Sequence, residues 1–327
     1  MKHFQTWTSL ILISILFLSH NLNAMVIFDG YYRIVSAGKH VGFSIVRYEY
    51  DPQKKQFTAT TFLKTNELGG NITESVKALC AEDKFRPISY SYTSLEGTKS
   101  KVIDATFSLD DFGKGKNDSK KKTASNTNPK SKEQSSASEK FLVMKANIKE
   151  NGKSVTKTDK FPSSIFLSVF LGHRIFGNEK GVKVGDSLKF EAIAEEDAQA
   201  QEGYYSVEQG EALPWDPHSK SFKISFDFKK ALFISQVSER NEVISTRSPA
   251  LALSTELVAQ PSMATEGMQI PSSVVRELFG EVPTGQNNDV AKNYQIQKAK
   301  ENAPPVEPSK QNGLPPGSNL IMKQDGK

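Results

Sequence analysis

The chain has 327 residues, 9% of them aromatic, with a net charge of +5 and a single cysteine, Cys80. The length allows one large or two ordinary domains, and one cysteine excludes an internal disulfide, so the fold must rest on its core. The basicity is local: residues 113–140 hold eight Lys against Asp118, Glu133 and Glu139, a net of +5 that leaves the rest near neutral. No basic face interleaved with aromatics remains, which argues against a nucleic-acid partner.

Residues 1–24 read as a secretory signal peptide. Met1, Lys2 and His3 give a positive start, and Leu10 to Leu18 form an apolar run. A small residue, Ala24, stands where signal peptidase would cut. The run is about half of the ~20 residues that a spanning helix needs. No cysteine follows it to carry a lipid, and no other stretch approaches spanning length. The expected product is periplasmic, or secreted, without an integral membrane span.

A strand-rich region follows. Tyr31–Val35 leads through the turn Ser36-Ala-Gly-Lys39 into Val41–Tyr50. There Val41, Phe43 and Ile45 share one face, while Val46, Tyr48 and Tyr50 have the opposite parity. Such a change marks a bulge or a strand covered on both faces. Asp51-Pro52 opens the next turn. Strands are expected at 56–64, 72–80, 87–93 and 101–107, and the tight turns between them imply an antiparallel sheet. Cys80 falls in one of these strands, as a buried, inert thiol. Residues 113–140 then read as a disordered insert joining neighbouring strands of one sheet, a length that loop-closure entropy tolerates. Further strands are expected at 141–148 and 153–157.

The pattern changes at Phe161–Ile175. Pro162 with Ser163 and Ser164 suits a helix start, and Gly172 or Gly177 suits its end. Ile165, Phe166, Leu167, Val169, Phe170 and Leu171 leave little polar face, so this helix should be buried on most sides. Strands resume at 187–193, 203–207, 221–228 and 231–237, and a short helix at Ser272–Phe279 stops at Gly280. Residues 281–327 read as a disordered tail. The expected organisation is a signal peptide at 1–24, one β-rich domain at 25–280 and a tail at 281–327.

Familiar catalytic equipment is missing. There is no G-x-S-x-G elbow, phosphate-binding loop, H-E-x-x-H or paired C-x-x-C. His40, His173 and His218 have no helical metal spacing. No cofactor is expected. Two features stand out: His173-Arg174 at the end of the apolar helix, either capping it or meeting a ligand headgroup, and Trp215 between Pro214 and Pro217.

Tyr32-Arg-Ile-Val-Ser-Ala-Gly-Lys-His-Val-Gly42 resembles the opening strand and turn of the DUF3108-like proteins, a bacterial family of unknown function. Phe85-Arg-Pro-Ile-Ser-Tyr90 is similar to a recurring phrase there, and Gly181-Val-Lys-Val-Gly-Asp186 follows the apolar helix in the expected place. The resemblance covers roughly residues 30–210. It implies a half-barrel like that of periplasmic lipoprotein carriers, with a curved antiparallel sheet clasping an apolar helix. The Lys-rich insert and the C-terminal extension depart from the pattern.

The expectation is therefore a mainly β, non-enzymatic envelope protein. It would bind a lipid, acyl chain or envelope protein in a groove lined by Ile165, Phe166, Val169 and Phe170, with His173 and Arg174 near a polar head. Those residues could equally be plain core. An envelope scaffold using the basic insert and the tail, and an unrecognised hydrolase, are the alternatives.

Overall fold

The computed structural model describes residues 24–110, 141–177, 181–213 and 215–302. The expectations for the signal peptide and for residues 113–140 fall outside these. The first run of strands is β1 (Met25–Ser36), β2 (Lys39–Asp51), β3 (Gln56–Thr65), β4 (Ile72–Ala81), β5 (Pro87–Glu96), β6 (Lys99–Asp110), β7 (Phe141–Glu150) and β8 (Lys153–Pro162). The second is β9 (Phe166–Leu167), β10 (Ser187–Ala194), β11 (Gln199–Gln209), β12 (Ser221–Phe228), β13 (Ala231–Ser238), β14 (Val243–Ser248) and β15 (Leu253–Val258). All fifteen belong to one sheet.

Strands consecutive in the chain pair antiparallel, apart from β8 and β9, which do not pair, and the short parallel pairing of β9 with β10. The first and last strands also pair, Tyr32 opposite Leu257, so two meanders fuse at β1 and β15. The outer edges, β8 and β9, are consecutive in sequence yet lie at opposite ends of the strand order. The sheet is curved and unclosed. Phe161 of β8 and Ile193 of β10 share one core cluster, and Lys157 Nζ of β8 donates to Ala198 O beyond β10 at 2.9 Å.

Local chemistry explains the hairpins. Ala37 and Gly38, with φ of 47° and 79°, connect β1 to β2. Asn151 and Gly152, at 49° and 82°, connect β7 to β8. Two consecutive positive φ angles match the right-handed twist of the flanking strands. β6 pairs β7 in continuous register from Lys101–Glu150 to Asp110–Phe141, so residues 111–140 do join neighbouring strands, as expected.

The concave face is shaped by small residues. Ala59 pairs Ala78, Ala78 pairs Tyr90, Tyr90 pairs Ala105, and Ala105 pairs Ala146. This row of alanines leaves a trough, and Ile165, Leu167 and Phe170 join it in one core cluster. Cys80 is fully buried in the same cluster, and burial pushes its thiol up to about 12, the opposite of an activated nucleophile.

The segment filling the trough corrects the helix expected to start at Pro162, Ser163 and Ser164 and to end at Gly172 or Gly177. Phe161 and Pro162 end β8, Phe166–Leu167 is β9, Ser168–Phe170 is a 3-10 turn, and only Leu171–Phe176 (α1) is α-helical. A run apolar on all sides has no period, and a free β10 edge was available to take two of its residues as a strand.

β2 is covered on both faces, which accounts for its change in parity. Phe43 and Ile45 lie on the convex side with Tyr31, Phe62 and Val258, under α2 (Pro261–Ala264) and α3 (Ser272–Phe279). Val46 and Tyr48 pack in another cluster with Phe28 and Tyr32. Gly280 ends α3 as expected, with φ of 80°.

Disorder from residue 281 was the wrong expectation as far as residue 302. Asp289–Glu301 forms α4, capped by Asn288, whose side chain accepts from Ala291 N. The segment before it is bolted to β1. Buried Asp29 accepts from Gly285 N at 3.1 Å and Asn287 N at 2.7 Å, and Tyr31 donates to Pro283 O at 3.1 Å. Polar composition suggested a tail, yet these polar groups are consumed by specific partners on the sheet.

Candidate functional site

Two cavities adjoin α1. The first, about 580 Å³, is lined by Phe28, Tyr32, Ser44, Val46 and Tyr48 of β1 and β2, by Gly172 and His173, and by the Arg240–Val243 turn. Asn287 and Lys292 of the C-terminal segment close its rim. The second, about 340 Å³, is mostly apolar and lies between α1 and β10–β14, with Phe190, Phe226, Phe228 and Phe233 in its wall. Gly172, Asn241 and Val243 line both. A Cβ on Gly172 would stand 3.0 Å from Asn241 Oδ1, so glycine allows the two walls to meet there. Both volumes fall within the roughly 300–1,000 Å³ of small-molecule sites.

His173 is held by stacking. Its ring centroid lies 4.2 Å from that of Tyr48 and 6.3 Å from those of Phe57, Phe85 and Phe170. Burial in this aromatic nest lowers its pKa to about 4, so the imidazole is neutral and offers one donor and one acceptor. Neither its ring nitrogens nor the Asn241 amide has a hydrogen-bond partner among the described residues. The Tyr32 hydroxyl donates to Val243 O at 2.9 Å, and the Tyr48 hydroxyl to Val169 O at 3.1 Å, which fixes both rings. Glu242, 8% exposed, accepts from Asp289 N at 3.2 Å, and its Oε2 has no partner. Burial, then the charge of Asp289, raises its pKa to about 7.

Of the six residues expected at the site, only His173 lines these cavities. Ile165, Phe166 and Phe170 are fully buried core, and Val169 packs beside them. Arg174 turns away, donating to Lys84 O at 2.7 Å with its guanidinium 4.9 Å from the Phe166 ring centre. The sequence reading missed Asn241, Glu242, Asn287 and Lys292. The polar run Ser238-Glu-Arg-Asn-Glu242 before an apolar strand signalled a turn, and Asn288-Asp289 signalled a helix start. Trp215 is part of the packing, in the cluster with Phe28 and Val290. Among the described residues, no group of three or more His, Cys, Asp or Glu could hold a metal, and no helix is long and apolar enough to cross a membrane.

One further carboxylate holds the α1 segment in place. Glu195, 3% exposed, accepts from the Ser168 hydroxyl and from Val169 N. Burial raises its pKa from 4.5 to about 7, although both hydrogen bonds oppose the rise. The folded state therefore holds this proton more tightly than the unfolded chain. Its contribution to stability is complete below about pH 4.5 and is lost as pH rises through about 7. Glu195→Gln keeps an acceptor for Val169 and removes the titration. The variant should match the parent near pH 4.5 and exceed it by about 3 kcal/mol above pH 7. Urea denaturation of both proteins across that range checks this; a difference independent of pH would contradict it.

No family model matches this chain, and no curated protein matches it. Among solved structures, it is similar to a beta-barrel-like protein of domain of unknown function DUF1849 from Brucella abortus, at 9% identity over 71% of this chain and 97% of that one, with a TM-score of 0.41.

Proposed function

We propose that this chain is an exported, periplasmic protein of the DUF3108-like kind, and that it binds a lipid or acyl chain non-enzymatically inside the curved sheet. The observation that carries the reading is the pair of cavities meeting at Gly172 and Asn241, one with mixed polar and apolar walls and one lined by phenylalanines. A rigid sheet with an apolar concave face must fill it with its own chain or with a ligand. Here the chain fills the β3–β8 half, and the β10–β14 half keeps open volume. The signal-like residues 1–24 support export; N-terminal sequencing of the exported protein would return Met1 if they stay attached.

Mass spectrometry of lipids extracted from gently purified native protein tests binding. A bound single-chain species is expected. Ile224→Trp, which places a large ring in the apolar cavity, should abolish its retention. Protein that copurifies with no lipid and takes up no acyl probe would refute the reading. Deleting residues 113–140 should leave lipid binding intact; loss of envelope pull-down in that variant would favour the envelope scaffold.

A further inference from the structure

The geometry points to an anionic headgroup: the cavity beside β1 and β2 takes, at its polar side chains, the carboxylate or phosphate of a single-chain amphiphile whose tail lies in the phenylalanine-lined cavity. This inference rests on the lipid-binding reading above and specifies its ligand.

The charged side chains lining the cavity beside β1 and β2 are Arg240, Lys292 and Glu242. Arg240 and Lys292 stand at the rim with exposed side chains. Asp289 offsets part of their charge: Arg240 Nη1 lies 2.6 Å from its Oδ1, and Lys292 Nζ lies 3.9 Å from it. That contact engages one guanidinium nitrogen, and the remaining donors of the fork are open to a second oxyanion. Asp289 itself does not line the cavity. Glu242 is the one inward carboxyl that could repel an anion. One of its oxygens is tied to the N-terminus of α4, and the other is shielded from solvent. Asp289 and Lys292 on α4, Arg240 on its own turn and Tyr32 on β1 face it, and its raised pKa keeps it protonated below about 7.

The neutral His173 ring, the Asn241 side-chain amide and the Ser44 hydroxyl also line this cavity, and none has a hydrogen-bond partner among the described residues. They are donors waiting for an acceptor beside two cations, an arrangement that suits an oxyanion. A quaternary ammonium would find the rings of Tyr48 and Phe28, but it would meet Arg240 and Lys292 on the way in. The apolar cavity is small, and its walls are pinned by ring stacking, Phe226 on Phe233 at 5.1 Å and Phe190 on Phe228 at 5.8 Å. That favours one chain over two.

Four probes of equal chain length, used below their micelle concentrations on the purified full chain, test this: dodecanoate, dodecyl phosphate, dodecyl maltoside and dodecyltrimethylammonium. Calorimetry should show dodecanoate, dodecyl phosphate or both binding at least about tenfold tighter than the other two, as one charge-assisted contact supplies. Which of the two anions is preferred identifies the headgroup source. Arg240→Gln with Lys292→Gln should erase the preference, and Arg240→Lys should retain most of it. Both positions are exposed, so the fold is left intact. Equal binding of all four probes overturns the headgroup assignment and leaves the lipid-binding reading standing. Binding of none overturns both.

Discussion

Asp29→Ala should lower the unfolding free energy by about 3–5 kcal/mol, the range for removing one partner of a buried ion pair. Asp29 is 2% exposed and Arg47 4%, and their charges lie 3.5 Å apart. Without Asp29, Arg47 keeps one carboxylate, Glu281 at 3.1 Å on an exposed side chain, and the Phe279 ring at 5.8 Å, and its Nε already has no partner. The backbone N–H groups of Gly285 and Asn287 also lose their acceptor. The effect has a local signature. This carboxylate supplies two of the hydrogen bonds that hold residues 281–302 to β1, beside those of Tyr31, Asn287 and Asn288, so limited proteolysis under native conditions should cut there faster in the variant. Asp29→Asn keeps one acceptor oxygen and should fall between parent and alanine. A loss under about 1 kcal/mol with unchanged proteolysis would show that α4 docks by other means.

Phe170→Ala should cost a similar amount, about 3–5 kcal/mol, the range for deleting a fully buried phenylalanine. Its ring is enclosed by Tyr48 at 6.4 Å, Phe85 at 6.2 Å and His173 at 6.3 Å. A lower urea midpoint with an unchanged slope would report lost packing without a change in compactness. This separates core from ligand lining. A residue that only lined the cavity would change lipid retention and leave the unfolding free energy within about 0.5 kcal/mol of the parent. The same substitution loosens the aromatic nest around His173, so its depressed pKa should move back toward 6.5, measurable by NMR titration of the ring. Stability and His173 titration should change together.

Strands and turns were legible in the sequence because their signals are local. Alternation along Val41–Ile45 and β-branched runs such as Gln56–Lys64 mark strands, and Ala37-Gly38 and Asn151-Gly152 supply the positive φ angles of two-residue hairpins. The change of parity in β2 left open a bulge or two covered faces, and the strand is covered on both. β14 and β15 escaped notice: both are six-residue strands with Ser, Thr, Arg or Glu among their apolar residues, and although β14 forms a local hairpin with β13, the pairing of β15 with β1 is long-range.

The sequence by itself thus determined a mainly β chain, an antiparallel meander and the absence of familiar catalytic motifs. Only the tertiary structure decided which apolar residues are core and which face open volume. Phe161–Ile175 is apolar on every side, so nothing in it distinguishes Phe170, buried against the alanine trough, from Leu171, which borders a cavity. The cavity walls come from β1, β2, α1, the β13–β14 turn and α4, and Tyr32 and Lys292 meet only once β1 has paired with β15 and Asp29 has anchored the C-terminal segment. Periodicity reports a residue's own neighbours along the chain. A cavity depends on register and closure across hundreds of residues, which no local pattern encodes.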